Sequence, residues 1–250
     1  MRLKDKIVLI TGASRGMGRA YAIACAREGA KVAVNYTSNA AAADEVVSTI
    51  EAAGGTAAAY QANIAVQADV DAMIDQIVDS FGRIDVFVGN AGILFKAPVL
   101  EHTEQMFDEV FAVNVKGNFF CAQRVARDMI TRQQGKIVFC SSIVAVVGEH
   151  HLLAYTATKG AIVSMARVFA LELAQHQINV NVVLPGTTKT DMSEHVLADD
   201  LLTQTIGDPI PLGRLGTPED LVGAVLFFAS SDSDWATGQT LIVDGGFTAI

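Results

Sequence analysis

The sequence predicts a doubly wound α/β fold, a three-layer sandwich around a seven-stranded parallel sheet. Strand-like and helix-like segments alternate along most of the chain. The strand cores I-V-L-I, V-A-V, V-F-V, K-I-V-F and V-N-V-V-L are almost continuously apolar. The first strand also runs through a glycine-rich turn directly into an amphipathic helix. Alternation of this kind implies parallel strands joined by right-handed crossovers. Unbroken apolar cores belong to strands that helices cover on both faces.

Taken in order, strands are expected near 6–11, 31–36, 56–61, 84–89, 135–141, 178–184 and 239–243, and helices near 16–29, 39–53, 66–82, 103–131, 153–175 and 217–230. Most of these strands are short with apolar cores, and the first helix is amphipathic. Pro98, Pro185, Pro209, Pro211 and Pro218 all fall in loops or at helix starts, where a missing N–H costs nothing. A doubly wound sheet binds its ligand outside the carboxyl ends of its strands. Thr11, Asn35, Asn63, Asn90, Ser142 and Pro185 lie at or just beyond such ends, so the polar motifs converge on one crevice.

Composition narrows the function. With 51% apolar content, 250 residues can bury a core as one domain, and no Pro/Ser-rich tract, charge block or repeat suggests a linker. The start M-R-L-K-D-K enters strand one without an apolar signal core, and no run is long enough to span a bilayer, so a cytoplasmic protein without membrane contact is expected. Cys25, Cys121 and Cys140 are scattered and lack metal-ligand spacing, which predicts reduced thiols and no metal site. A net charge of −9, from 18 basic against 27 acidic residues, argues against a nucleic-acid partner.

The stretch T-G-A-S-R-G-M-G places Gly12, Gly16 and Gly18 between the first strand and helix, with Ser14, Arg15 and Met17 among them. Glycines permit positive φ and close approach of backbone to ligand, and the helix start offers free N–H groups and a positive dipole end to a phosphate. The spacing is G-x-x-x-G-x-G rather than the commoner G-x-G-x-x-G. A pyrophosphate, and hence a dinucleotide, fits this turn.

Tyr155 and Lys159 stand four residues apart, so on a helix they share one face. A free phenol titrates near pH ~10, and a fixed ammonium beside it is expected to lower that value. Ser142, thirteen residues before Tyr155, can hydrogen-bond the oxygen of an alcohol or ketone while Tyr155 gives or takes its proton.

These segments together resemble the short-chain dehydrogenase/reductase family, in its short single-domain branch, over essentially the whole chain. The matching pieces are T-G-A-S-R-G-M-G, G-N-A-G, Asn114 in V-N-V-K-G-N, Ser142, Y-T-A-T-K, P-G-T-T-K-T and the closing D-G-G. The resemblance implies a Rossmann-type, NAD(P)-dependent oxidoreductase. Its active site would join Asn114, holding a water between Lys159 and bulk solvent, to Ser142, Tyr155 and Lys159, with Tyr155 and Lys159 also meeting the nicotinamide ribose. It further implies cofactor contacts from Asn63 and Ile64, from Asn90, Ala91 and Gly92, and from Pro185, Gly186, Thr188 and Thr190. Two positions depart from the pattern. Asn63-Ile64 replaces Asp-Val, and Gly89 replaces the first Asn of N-N-A-G. A homotetramer, packed through the long helices and the C-terminal strand, and a substrate lid at about 186–212 are also implied.

Strand two ends V-A-V-N-Y-T-S-N with no acid to bind the ribose hydroxyls or repel a 2′-phosphate. Arg15, with Asn35, Tyr36, Thr37 and Ser38 nearby, favours NADP(H), with NAD(H) also admitted. The substrate is less defined, because 3-oxoacyl thioester reductases and sugar 1-dehydrogenases share these motifs. Glu149, His150, His151 and, in the lid, His195 suit a hydroxylated substrate such as a polyol or sugar. A 3-oxoacyl-(acyl-carrier-protein) reductase would need a basic docking patch, for which Arg124, Arg127, Arg132 and Lys136 are candidates. A third reading is a redox sensor that binds NADP(H) without turnover.

Overall fold

The structure is a computed structural model that describes residues 1–190 and 209–249. Seven strands, β1 (Ile7–Ile10), β2 (Lys31–Tyr36), β3 (Thr56–Gln61), β4 (Val86–Gly89), β5 (Gly135–Cys140), β6 (Ile178–Pro185) and β7 (Thr240–Val243), form one parallel sheet in the order β3-β2-β1-β4-β5-β6-β7. The order reverses between β1 and β4, whose register sets Leu9 against Phe87. A crevice opens at such a switch point.

Alternation along each strand divides the core. Val8, Ile10, Val86, Val88 and Val138 face α1 (Gly16–Arg27), α2 (Ala40–Ala52) and α7 (Pro218–Ala229). Leu9, Phe87, Ile137 and Phe139 face α3 (Gln67–Phe81), α5 (Asn118–Arg132) and α6 (Leu153–Leu173). Each such side chain, once fully buried, contributes roughly 1.5–3 kcal/mol. Both faces are therefore spent on packing, and polar function is left to the strand ends.

The helix starts follow from local chemistry. Asn39 caps α2 by accepting from Ala42 N–H at 3.0 Å. Thr103 caps α4 (Glu104–Phe111) by accepting from Met106 N–H at 3.2 Å. Thr217 and Asp220 form a capping box on α7 with Pro218 in its first turn. Arg214 grips Asp220 with two hydrogen bonds of 2.7 and 2.8 Å, and these hold its carboxyl well below the usual range.

The expected long helix near 103–131 is interrupted. Between α4 and α5 lies a π turn, Ala112–Gly117, centred on Asn114. Gly117 permits it, because a Cβ there would lie 2.8 Å from the Ile64 carbonyl oxygen. Hydrophobic spacing does not register this local widening of the helix, and π turns of this kind concentrate at functional sites.

At the opposite, amino end of the sheet, Asp85 is 5% exposed and accepts from Ile7 N–H at 2.9 Å, from Arg83 Nε at 2.9 Å and from Arg132 Nη1 at 3.0 Å. Asp85→Ala strips three donors of a shared partner, and a bond to a charged group is worth roughly 1.5–3 kcal/mol. The variant should lose about 2–3 kcal/mol in denaturant titration and melt several degrees lower. Its affinity for a nicotinamide dinucleotide, measured by fluorescence, should match that of the parent, because the crevice lies at the other end of the strands. A melt equal to the parent's would refute the role given to Asp85.

Candidate active site

The turn from β1 to α1 is held open by neighbours rather than by its own side chains. Thr11 is fully buried, and its hydroxyl accepts from the N–H groups of Asn90 and Ala91 at 3.0 and 3.1 Å. Asn90 returns its amide to the carbonyls of Thr11 and Gly12 at 3.0 and 3.2 Å. Gly12 and Gly16 have φ of +62° and +53°, which favours glycine. A Cβ on Gly18 would fall 2.3 Å from the Gly12 carbonyl oxygen and 2.7 Å from the Asn90 amide nitrogen. Asn35 is placed differently from the sequence reading. It is 1% exposed, accepts from Gly12 N–H at 3.2 Å and donates to the carbonyls of Tyr60 and Ala62, so it supports the turn from beneath instead of facing a ligand.

Above this turn lies a cleft of about 490 Å³, within the range of small-molecule sites. Its walls are Gly12, Ser14, Arg15, Gly16, Met17 and Gly18 on the first loop, Tyr36, Thr37 and Ser38 after β2, Asn63 and Ile64 after β3, Asn90, Ala91 and Gly92 after β4, and Thr190. The fit to a dinucleotide can be tested on atoms. The Asn90 Oδ1 is buried with no hydrogen-bond partner, an acceptor that a ligand's hydroxyl or amide can satisfy. The first turn of α1 carries no acid to oppose an anion. Asn63 spends its carbonyl oxygen on Ala65 N–H at 3.1 Å, which leaves its NH₂ donors. The residues present fit the group.

Three residues expected at the cofactor lie apart from this cleft. Pro185 ends β6 in register with Val243. Gly186 and Thr188 line a separate cavity of about 140 Å³ beside Arg214 and Asp244. His195 and most of the expected lid, 191–208, lie outside the described residues.

Asn114 and Lys159, two of the residues expected to form the active site, come together at the Gly92 end of the cleft. A Cβ on Gly92, a residue of the cleft wall, would stand 3.2 Å from Asn114 Oδ1 and 3.6 Å from Lys159 Nζ, so both groups lie close behind that wall. Tyr155 and Lys159 share a face of α6, with Nζ 5.3 Å from the centre of the phenol ring. Ser142, which caps the short turn Ile143–Ala145, hydrogen-bonds the Tyr155 side chain. Asn114 is fully buried. It accepts from Ile93 N–H at 2.8 Å and donates to the Ile93 carbonyl at 2.9 Å and the Thr158 hydroxyl at 3.1 Å. Its side chain therefore pins the π turn to the loop after β4 and to α6.

The electrostatics reverse one expectation. Burial pushes the Tyr155 phenol up to about 12, opposed by the Ser142 hydrogen bond and reinforced by the Glu149 carboxylate. Burial also pulls Lys159 down to about 8. The ammonium is 4% exposed and donates to the Cys140 carbonyl at 3.0 Å, so its charge is engaged away from the phenol oxygen. Desolvation of the phenolate is the largest influence on it, ahead of the Ser142 contact that lowers it.

Several contributors were not singled out from sequence. Ser141 is buried and donates its hydroxyl to the Lys159 carbonyl at 2.8 Å. Thr158 links Asn114 to the Tyr155 carbonyl at 2.6 Å. Asn39, Ile93 and Val113 complete the cleft wall. Thr158 could have been flagged as a polar residue on the buried face of α6, whereas Ile93 acts through its backbone and leaves no sequence signal. Glu149, His150 and His151 lie on an exposed loop, with His151 at φ +67° and its carbonyl accepting from Ala97 N–H at 3.0 Å. Among the basic residues proposed for docking, Arg124 pairs with Asp75 and Asp128, Arg132 with Asp85, and Lys136 with Asp234.

Comparison with known proteins agrees with this geometry. A family profile described as enoyl-(acyl carrier protein) reductase matches residues 12–248. A 3-oxoacyl-[acyl-carrier-protein] reductase of Staphylococcus epidermidis is 41% identical, covering 97% of this chain and 98% of its own. An L-rhamnose 1-dehydrogenase (NAD(P)(+)) of a Sphingomonas species is 40% identical, covering 98% and 96%. The crystal structure of a gluconate 5-dehydrogenase from Burkholderia cenocepacia in complex with NADP and tartrate superposes with a TM-score of 0.95 at 34% identity, covering 100% and 97%. A short-chain type dehydrogenase/reductase from Mycobacterium marinum gives 0.94 at 35%, covering 99% and 97%. With its Rossmann-type sheet and its glycine turn over a dinucleotide-sized cleft, the chain belongs to the short-chain dehydrogenase/reductase family of NAD(P)-dependent oxidoreductases acting on CH–OH groups.

Proposed function

We propose that the protein is an NADP(H)-dependent oxidoreductase that interconverts a secondary alcohol of a polyol, sugar or related hydroxy compound and its carbonyl, with Tyr155 as general acid and base. The observation that carries this reading is the meeting of Ser142, Tyr155, Lys159 and Asn114 behind Gly92, at one end of the dinucleotide cleft. The nicotinamide, when bound, supplies or accepts the hydride. The glycine turn and the N–H groups of α1 hold the pyrophosphate, and Arg15 with Thr37 and Ser38 takes the 2′-phosphate. Ser142 holds the substrate oxygen, Tyr155 moves its proton, and Lys159 maintains positive charge beneath them. A phenol raised to about 12 is protonated at neutral pH and suits reduction of a carbonyl.

The polar rim of Glu149, His150 and His151 supports a hydroxylated substrate. The carrier-protein reading draws on the 41% identical reductase, but its docking patch is weakened. Arg132 and Lys136 pair with acids at the amino end of the sheet, away from the cleft, and Arg124 is shared among acids. We further infer one domain over residues 1–250 with a lid at about 186–212, working in the cytoplasm as a homotetramer. Among the described residues no helix is long and apolar enough to cross a membrane. Val168, Leu171 and Phe107 are exposed on the long helices, and the edge strand β7 exposes Leu241 and Ile242. Light-scattering mass near that of four chains is expected, and a monomer would refute the assembly.

With NADPH and a panel of ketones and ketoses, followed by nicotinamide absorbance, Tyr155→Phe should lower kcat about 10²–10⁴-fold and Ser142→Ala about 10²-fold. Reduction should be level near neutrality and decline above about pH 8, where Lys159 loses its proton. Lys159→Met should abolish that decline along with most of the rate. Retained turnover in Tyr155→Phe would overturn the assignment. Arg15→Ala should raise KM for NADPH about tenfold or more while that for NADH stays within about twofold. Equal effects on both cofactors would refute the 2′-phosphate contact.

A further inference from the structure

Asn118 closes the V-N-V-K-G-N segment, opens α5 and is 1% exposed, and no role in the site has been given to it. Its amide nitrogen donates to the Asn114 carbonyl at 2.9 Å and to the Ala91 carbonyl at 3.2 Å. One side chain thus joins the π turn to the wall of the dinucleotide cleft. Its Oδ1 is buried without a hydrogen-bond partner. That oxygen lies 2.6 Å from where a Cβ on Gly89 would stand, with Phe139 Cδ1 at 3.0 Å and Phe87 Cε1 at 3.3 Å closing the other sides. The gap at Gly89 is therefore occupied by the amide of Asn118.

From Asn118 the connection continues without interruption. Asn114 bonds the backbone of Ile93 and the Thr158 hydroxyl, and Thr158 bonds the Tyr155 carbonyl. We propose that Asn118 is a positioning residue, whose amide sets Asn114 and Tyr155 against the Ala91–Ile93 wall, and that Gly89 is the space required for it. The sequence departure at Gly89 then leaves no hole. The strand gives up a side chain, and a carboxamide from the facing helix enters in its place. The inference rests on the functional reading above, because its effect is exerted through Asn114 and Tyr155.

Asn118→Leu tests it, since leucine is close in size and carries no amide. The substitution also deletes the unpaired oxygen, so the thermal midpoint should stay within about 3 °C of the parent. With NADPH and the fastest ketone of the panel, kcat should fall about tenfold to a hundredfold, because sub-ångström placement of the proton donor is lost. The KM for NADPH should change by less than about threefold, since the glycine turn is untouched. In a second arm, Gly89→Ala should melt well below the parent. Gly89→Ala combined with Asn118→Ala should melt higher than Gly89→Ala alone while kcat remains low. An Asn118→Leu enzyme with kcat within about twofold of the parent would overturn the proposal, as would strict additivity in the melts. A parent chain that reduces no carbonyl would strike the functional reading and this inference together, whereas an active parent with an equally active Asn118→Leu strikes only the inference.

Discussion

A buried ammonium must be given acceptors or lose its proton, and the arrangement around Lys159 follows from that requirement. Its Nζ is bonded by the Cys140 carbonyl, the last of β5, and its own carbonyl receives the hydroxyl of the next residue, Ser141. Both ends of one residue in the middle of α6 are therefore tied to the end of a central strand. Ser142 follows at once and hydrogen-bonds Tyr155, one helical turn before Lys159. Tyr155 and Ser142 are held at a fixed spacing by β5, whose two faces are covered by packed helices. Because packing consumes those faces, the carboxyl end of the sheet is where such a group can meet a ligand.

The fold was legible because its signals are local and repeated. Strand positions agree to within a residue or two, since buried parallel strands must be apolar throughout and their turns need glycine or capping residues. What the sequence did not disclose is non-local or acts through backbone. The π turn at Ala112–Gly117 arises from contacts of Asn114 with Ile93 and of Gly117 with Ile64, none of which alters the apolar spacing of the helix. Asn35 stands at a strand end like the residues that line the cleft, yet its side chain turns inward to the Gly12 N–H. Position along a strand fixes which end a residue occupies, and only packing decides whether it faces ligand or scaffold. Of the basic residues of α5, Arg124 and Arg132 are paired with carboxylates, which distance in sequence does not reveal.

Motif positions are better understood as volumes than as letters. Gly89 departs from the family pattern, but the space beside it is filled by Asn118, and the carbonyls of Ala91 and Asn114 receive donors from that side chain. A substitution that would read as a defect in a single strand is absorbed by a residue twenty-nine positions away. Such an exchange keeps the interior filled, here with one carboxamide oxygen left without a partner.

The pKa of the phenol is set first by its burial. Its rise from the ordinary 10 to about 12 reflects burial, with Glu149 adding to it. A unit charge at 5 Å in an effective dielectric of about 20 contributes roughly 3 kcal/mol, and two pKa units correspond to about 2.7 kcal/mol. One further positive charge or strong donor brought to the phenol oxygen is therefore enough to restore or invert its ordinary acidity. Lys159 is held close enough to supply such a charge but directed at Cys140. Burial thus keeps the Tyr155 phenol neutral, and its ionisation is sensitive to any charge brought into the adjoining cleft.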